Sequence, residues 1–163
     1  MCCENMMIPS YKIFSAINAK RLFIATTLVG IAACATYPSQ EMSDARQALR
    51  AAHEAGAEQH APSLLRKATT HLFDAEKGLG SQAPAYGTAR QNALAAKEEA
   101  VKARKVAVAI HEAKIALAHL PQHNRFTQQA QQALEKALQA EARGETQTAI
   151  DFAIQAKALA QTQ

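Results

Sequence analysis

The sequence predicts an all-α protein: an elongated antiparallel helical bundle, or a set of helical hairpins, with one long central helix. Three observations favour this fold class. Beyond residue 39, alanine and leucine recur at spacings of three and four residues, which is the period of one helix face. Glycine and proline fall almost wholly between these periodic stretches. No alternating run of β-branched residues long enough for a strand follows residue 34.

Five helices are predicted, each bounded by residues that start or stop helices. The first begins with Ser39 as its cap and ends at Gly56; the second begins at Pro62 and is broken by Gly78, Gly80 and Ser81; the third runs from Pro84 to about Leu120; the fourth begins near Phe126 and stops near Gly144; the fifth contains Ala149 to Leu159. The third is the longest, so we expect it to form the spine of the bundle.

Two rows of apolar residues run along this predicted spine. The first row alternates four-three spacing, as in the seam of a closely packed helix pair: Ala89, Ala93, Ala96, Ala100, Ala103, Ala107 and Ile110. The second row repeats every seven residues and is bulkier: Leu94, Val101, Val108 and Ile115. The two rows together are wider than one neighbouring helix needs, which predicts that the spine packs against two partners.

The first 33 residues have the organisation of a secretory signal peptide. Lys20 and Arg21 precede an apolar run of about a dozen residues, and small residues follow it. This run is too short for a membrane-spanning helix, which needs about 20 apolar residues. The sequence Ile-Ala-Ala-Cys at 31–34 resembles a bacterial lipobox. The resemblance implies cleavage between Ala33 and Cys34, and lipidation of Cys34.

Cleavage there divides the chain into three parts. Residues 1–33 are the signal peptide, 34–39 are the lipidated cysteine and a short tether, and 40–163 are an alanine-rich α-helical domain. The 130 residues that remain after cleavage suit one small domain. Ala35 follows the cysteine, where an aspartate would imply retention in the inner membrane by resemblance to known lipoproteins. We therefore expect a lipid anchor in the outer membrane, with the domain on its periplasmic face.

The charge balance excludes one class of partner. The whole chain has a net charge of +4, but without Glu4, Lys12, Lys20 and Arg21 of the signal, 15 basic and 13 acidic residues remain. Nucleic-acid-binding proteins concentrate basic charge on one face, often with aromatic residues for stacking. Aromatic residues make up only 5% of this chain, which has no tryptophan. We expect no nucleic-acid partner.

The cysteines and histidines bear on redox and metal chemistry. The cysteines are Cys2, Cys3 and Cys34, so the cleaved and lipidated protein would have no free thiol for redox work or for zinc. Six histidines remain: His53, His60, His71, His111, His119 and His123. A glycine lies between His53 and His60, and a proline lies between His119 and His123, so neither pair is expected to share one helix face. No His-Glu-x-x-His pattern occurs. They are interpreted as isolated surface residues, with no metal site.

Catalytic and cofactor motifs are missing from the sequence after Cys34. It has no Gly-x-Ser-x-Gly elbow, no phosphate-cradling glycine loop and no Ser-x-x-Lys motif. Glu98 and Glu99 are adjacent, so they point to different faces and cannot act together as acid and base. Glu98 with Lys102 has the spacing of an ordinary exposed ion pair. We predict no catalytic residue, no cofactor and no enzyme activity.

Two segments resemble known families. Ala-Gly-Ala-Glu-Gln-His-Ala-Pro at 55–62, followed by Leu65, Ala68, Leu72 and Ala75, resembles the bacterial domain-of-unknown-function family 4398, over about 42–107. That resemblance implies a small envelope lipoprotein without established activity; some members are joined to an OmpA-like peptidoglycan-binding domain. Residues 142–159, with Gly144 ahead of Ala149, Phe152 and Ala156, resemble the second helix of a tetratricopeptide unit.

Together these observations predict an outer-membrane-anchored periplasmic lipoprotein that acts as a structural or adaptor module. Its partners would be the membrane, through the lipid, and other envelope proteins or the cell wall. The alternative is a periplasmic lipoprotein that binds a metal or a small ligand. A basic row on the spine, Arg90, Lys97 and Arg104, is either a solvated face or a contact for a phosphate-bearing lipid or an acidic partner. The sequence does not indicate the oligomeric state.

Overall fold

The computed structural model describes residues 36–120 and 125–162, and all regular structure in these ranges is helical. The six helices are α1 (Ser39–Glu54), α2 (Ala57–His60), α3 (Pro62–Leu79), α4 (Tyr86–Ala118), α5 (Arg125–Arg143) and α6 (Thr146–Gln161). The predicted all-α bundle with one long helix is confirmed. The predicted signal peptide, the cleavage position at Ala33 and the lipidation site at Cys34 lie outside the described residues. No helix within these ranges is long and apolar enough to cross a membrane.

Helix α4 is the spine, and every other helix packs against it. Its 33 residues make it about 50 Å long. Ion pairs from α1 to its N-terminal half show that α1 and α4 run in the same direction: Glu41 pairs with Arg90 and Asp44 with Lys97. Near the other end of α4, Glu112 pairs with Lys157 of α6. The α1–α3 part thus packs along α4 from Arg90 to Lys114, and the α5–α6 hairpin packs along the C-terminal half of α4.

Alanine dominates the core. All seven residues of the predicted four-three row on α4 are buried, and alanines of α1, α3, α5 and α6 face them. Few large side chains are fully buried; they include Met42, Leu64, Val106 and Ile110. Because a methyl side chain is small, the helix axes approach closely and the core between them is thin. The predicted close-packed seam is confirmed.

Two glycines end helices in the left-handed region. Gly56 has φ +75° after α1, and Gly144 has φ +79° after α5. Glycine adopts such φ values readily because it has no Cβ, which is why it commonly follows the last helical residue. Pro62 occupies the first turn of α3, where its missing N–H is not needed. These predicted boundaries are confirmed.

Other boundaries differ from the prediction. Ser39 does not cap α1: it is the first helical residue, Pro38 occupies the cap position, and no side chain caps the helix. Gly78 does not break α3, which continues to Leu79. The long helix begins at Tyr86 rather than at Pro84. The short helix α2 was not predicted, because four residues are too few to show a period.

The prediction for the bulky second row of α4 was also wrong. Leu94, Val101, Val108 and Ile115 are 49%, 39%, 40% and 47% exposed. The four-three row, which includes Ile110, contacts the surrounding helices instead. Val106 and Ala113 contribute as well, and all of these residues are buried. The spine does pack against more than one partner, but this row is left uncovered by the described residues.

Candidate interaction surface

The uncovered row on α4 borders a groove between α4 and α6. Near the middle of α4, Val101, Val108 and Ile150 line a space of about 400 Å³. Farther along, a second space of about 470 Å³ lies between α4 and α6. It is lined by Ile115 of α4, by Leu120 in the turn that follows α4, and by Ala160 of α6. We call these two spaces together the α4–α6 groove.

The geometry of the groove follows from the spacing of its apolar residues. Seven residues make nearly two helical turns, so Val101, Val108 and Ile115 lie almost one above the other, about 10.5 Å apart. Ile150 is half-buried on the facing helix. A surface of this kind matches the apolar face of another helix, whose side chains recur at the same interval.

The free charge beside the groove is positive. Arg104 and Lys105 line it next to the two valines, both are exposed, and neither forms an ion pair within the described residues. The nearby Glu112 is already paired with Lys157 at 3.0 Å. This end of the surface therefore presents two cations whose charge nothing in the described chain neutralises.

The predicted basic row is largely neutralised by α1. Arg90 Nε donates to Glu41 Oε1 at 2.7 Å, and Lys97 Nζ donates to Asp44 Oδ2 at 2.8 Å. The hydrogen bond from Lys97 is the main reason that the pKa of Asp44 is lowered. Of the three residues in that row, Arg104 alone has no acidic partner among the described residues.

The expected pair of Glu98 and Lys102 is present, and it extends to a third residue. Lys102 Nζ lies 2.8 Å from Glu98 Oε1 and 2.9 Å from Glu99 Oε1. These hydrogen bonds, first that to Glu98, raise the pKa of Lys102, and the bond from Lys102 lowers the pKa of Glu98. The two carboxylates thus share one ammonium group, so the prediction that Glu98 and Glu99 point to different faces was wrong: their side chains converge on Lys102.

His60 departs from the prediction of isolated surface histidines. It is only 8% exposed, and its ring centroid lies 5.5 Å from that of His111. Its Nδ1 is 3.1 Å from Lys114 Nζ. Burial, and then the charges of Lys114 and His111, lower the pKa of His60. The surface prediction was therefore wrong for this residue.

The His60 cluster offers little to a metal ion. An ammonium group at hydrogen-bond distance from His60 opposes the binding of a second cation there. Of the other histidines, His53 pairs with Glu58 at 2.9 Å and His119 lines the α4–α6 groove. No group of three ligating side chains that could hold a metal occurs within 36–120 and 125–162. His123 lies outside the described residues.

Glu141 has a structural role that no sequence pattern indicates. Its Oε1 accepts hydrogen bonds from the backbone N–H groups of Ser63 at 2.8 Å and of Leu64 at 3.2 Å. Ser63 Oγ donates in return to the Glu141 carbonyl at 3.1 Å. The side chain is buried, and it satisfies two donors at the N-terminus of α3, where a negative charge is favoured. Glu141 thereby fastens α5 to α3.

A family model described as a domain of unknown function (DUF4398) matches residues 40–119. This segment contains α1 from its second residue, α2, α3 and the whole of α4, including the row of exposed apolar residues. The α5–α6 hairpin lies beyond it. No curated protein and no solved structure shows a significant match to the chain.

Proposed function

Because the chain belongs, through residues 40–119, to the DUF4398 family of domains of unknown function, we propose its role from its own surface rather than from its relatives. It is an outer-membrane-anchored periplasmic lipoprotein that acts as an adaptor of the cell envelope and performs no chemistry itself. The signal-like first 33 residues and the lipobox-like sequence ending at Cys34 support the location. The α4–α6 groove supports the adaptor role.

The exposed row that borders this groove is the observation that carries the proposal. An apolar face left uncovered on an otherwise alanine-packed bundle exposes surface that a partner would remove from water. The heptad spacing of Val101, Val108 and Ile115 gives that surface the period of a helix. The partner is therefore an amphipathic helix that lies along the groove.

Charge decides which kind of helix fits. Arg104 and Lys105 stand beside the two valines without acidic partners in the described chain, so the occupant carries carboxylates at the matching position. A second copy of this chain fits poorly. The symmetric antiparallel register that aligns the whole row pairs Leu94 with Ile115 and Val101 with Val108. That register also sets the two basic residues of both copies against each other, which is repulsive.

The test is site-specific photo-crosslinking in cells. A photo-reactive residue at Val108 is expected to capture a discrete envelope protein, whereas one at exposed Gln139 on α5 is not. Replacing Arg104→Glu together with Lys105→Glu should weaken capture roughly tenfold or more, since each reversed charge pair contributes on the order of 1 kcal/mol.

A matched charge reversal controls for net charge. Arg66 and Lys67 form a similar adjacent and exposed basic pair on α3, and reversing both should leave capture from Val108 unchanged. Capture that is equal from Val108 and Gln139, or that survives the reversal at 104 and 105, would contradict the proposed surface. Capture of a second copy of this chain would contradict the acidic partner.

The alternative of a metal- or ligand-binding lipoprotein is not favoured by any particular observation in the described residues. Within 36–120 and 125–162 the one close histidine pair, His60 with His111, lies beside the ammonium group of Lys114. Equilibrium dialysis of the protein with zinc tests that alternative directly: an adaptor leaves the metal unbound, and stoichiometric zinc uptake would favour the alternative.

A further inference from the structure

The first described residues after the lipobox-like cysteine, from Thr36 onward, are bound to the start of the spine. Arg90 Nη2 donates to both the carbonyl and the hydroxyl oxygen of Thr36, each at 3.2 Å. The ring of Tyr37 packs edge-on against Tyr86, with 6.0 Å between their centroids. Pro38 is fully buried. The predicted tether of residues 34–39 is thus fixed to the bundle from Thr36 onward.

This attachment limits how far the bundle can lie from a lipid on Cys34. Only Ala35 separates Cys34 from Thr36, so their Cα atoms are at most about 7 Å apart. The spine, by comparison, is about 50 Å long. An acyl chain inserted in a bilayer from Cys34 would therefore hold the N-terminal end of α4 against the headgroups.

The surface at that end has the composition of a membrane interface. The turn between α3 and α4, Gly-Ser-Gln-Ala-Pro-Ala at 80–85, is exposed and carries no charge. Tyr37 is 56% exposed, and tyrosine suits the headgroup level because its ring is apolar and its hydroxyl remains wet. Lys77, exposed in the last turn of α3, forms no ion pair within the described residues and can approach a phosphate.

We propose that this end of the bundle, formed by Tyr37, Tyr86, Lys77 and the turn at 80–85, is a membrane-contact surface that rests in the phospholipid headgroup layer. The inference depends on the proposed lipid on Cys34 but goes beyond it, since a lipid alone does not decide which surface meets the membrane. The proposed surface also places membrane contact and partner contact at different positions along α4. Val101, the first groove residue on α4, lies 15 residues beyond Tyr86, or about 22 Å along the helix, so the α4–α6 groove begins away from the headgroups.

Tryptophan fluorescence can test this surface because the chain contains no tryptophan of its own. The lipidated protein would be reconstituted in vesicles of phosphatidylethanolamine and phosphatidylglycerol, with or without brominated acyl chains as quenchers. Three variants each place one probe. Tyr37→Trp and Gln82→Trp place it at the contact surface, and Gln161→Trp places it at the C-terminal end of α6, which lies beside the C-terminal end of α4. Gln82 and Gln161 are exposed, so their replacement leaves the core intact.

We expect the probes at 37 and 82 to shift to shorter emission wavelength on vesicle binding and to be quenched several-fold more than the probe at 161. Equal quenching at all three positions, or stronger quenching at 161, would overturn the membrane-contact surface while leaving the anchor in place. Mass spectrometry of the same samples reports the lipid on Cys34. If the cysteine is unmodified, the anchor itself fails, and the membrane-contact surface fails with it.

Discussion

Replacement of Glu141 tests how strongly the α5–α6 hairpin is attached to the family-matched part of the chain. In Glu141→Ala, the N–H groups of Ser63 and Leu64 lose their shared acceptor at the N-terminus of α3. The Leu64 N–H is buried, and a buried donor left without a partner costs about 1–3 kcal/mol. The Ser63 N–H is partly exposed and water can reach it, so its loss is closer to that of a helix cap, about 0.5–2 kcal/mol. Together we expect a loss of about 2–4 kcal/mol in the free energy of unfolding.

Urea unfolding followed by circular dichroism measures this difference. For a domain of this size, about 3 kcal/mol corresponds to a fall in Tm of roughly 10 °C. Glu141→Gln keeps an acceptor oxygen but loses the charge, so its destabilisation should be smaller. Glu135→Ala, on the exposed face of the same helix, is the control and should change stability little. Equal unfolding free energies for the Ala variants at 141 and 135 would refute the capping role.

Three further predictions concern packing, pH and backbone conformation. Ala100→Leu should lower the free energy of unfolding by about 1–3 kcal/mol because Ala100 is fully buried in the helix seam, whereas Ala158→Leu on the exposed face of α6 should be nearly neutral in the same urea titration. Because its surroundings lower the pKa of His60 below 6.5, the folded chain binds a proton at this residue more weakly than the unfolded chain does. The free energy of unfolding should therefore decline as the pH falls below about 6.5 and level off below the pKa of the folded state. In urea titrations at several pH values, His60→Gln should remove this part of the pH dependence. Gly144→Ala should lower the Tm because an alanine at φ +79° costs about 1 kcal/mol, while Gly87→Ala, in a helix with open space around the new methyl group, should raise it slightly.

The helices and most of the core could be predicted from the sequence because both depend on local information. A four-three row of alanines identifies the buried face of α4, and Gly56 and Gly144 mark helix ends that need a positive φ. Periodicity shows that a face is apolar, but it does not show what covers that face. For this reason Leu94, Val101, Val108 and Ile115 were expected to be packed, and the structure leaves them exposed.

The polar contacts that fix the helices to one another could not be predicted in the same way. Glu141 and Ser63 are 78 residues apart in sequence, and His60 and Lys114 are 54 apart. Such pairs depend on the register of packed helices, which no single helix pattern contains. One signal was present: α3 begins after Ala61, which cannot cap it, so an acceptor from elsewhere was needed at that end.

Lipidation of Cys34 is the premise on which the proposed location, the adaptor role and the membrane-contact surface rest. The direct measurement compares the natural chain with Cys34→Ser in bacterial cells supplied with radiolabelled palmitate, followed by separation of membrane and soluble fractions. Serine lacks the thiol that accepts the diacylglycerol. We predict that the natural chain is labelled and sediments with the outer membrane, and that the serine variant is unlabelled and either soluble or uncleaved. A labelled, membrane-bound serine variant would contradict the account.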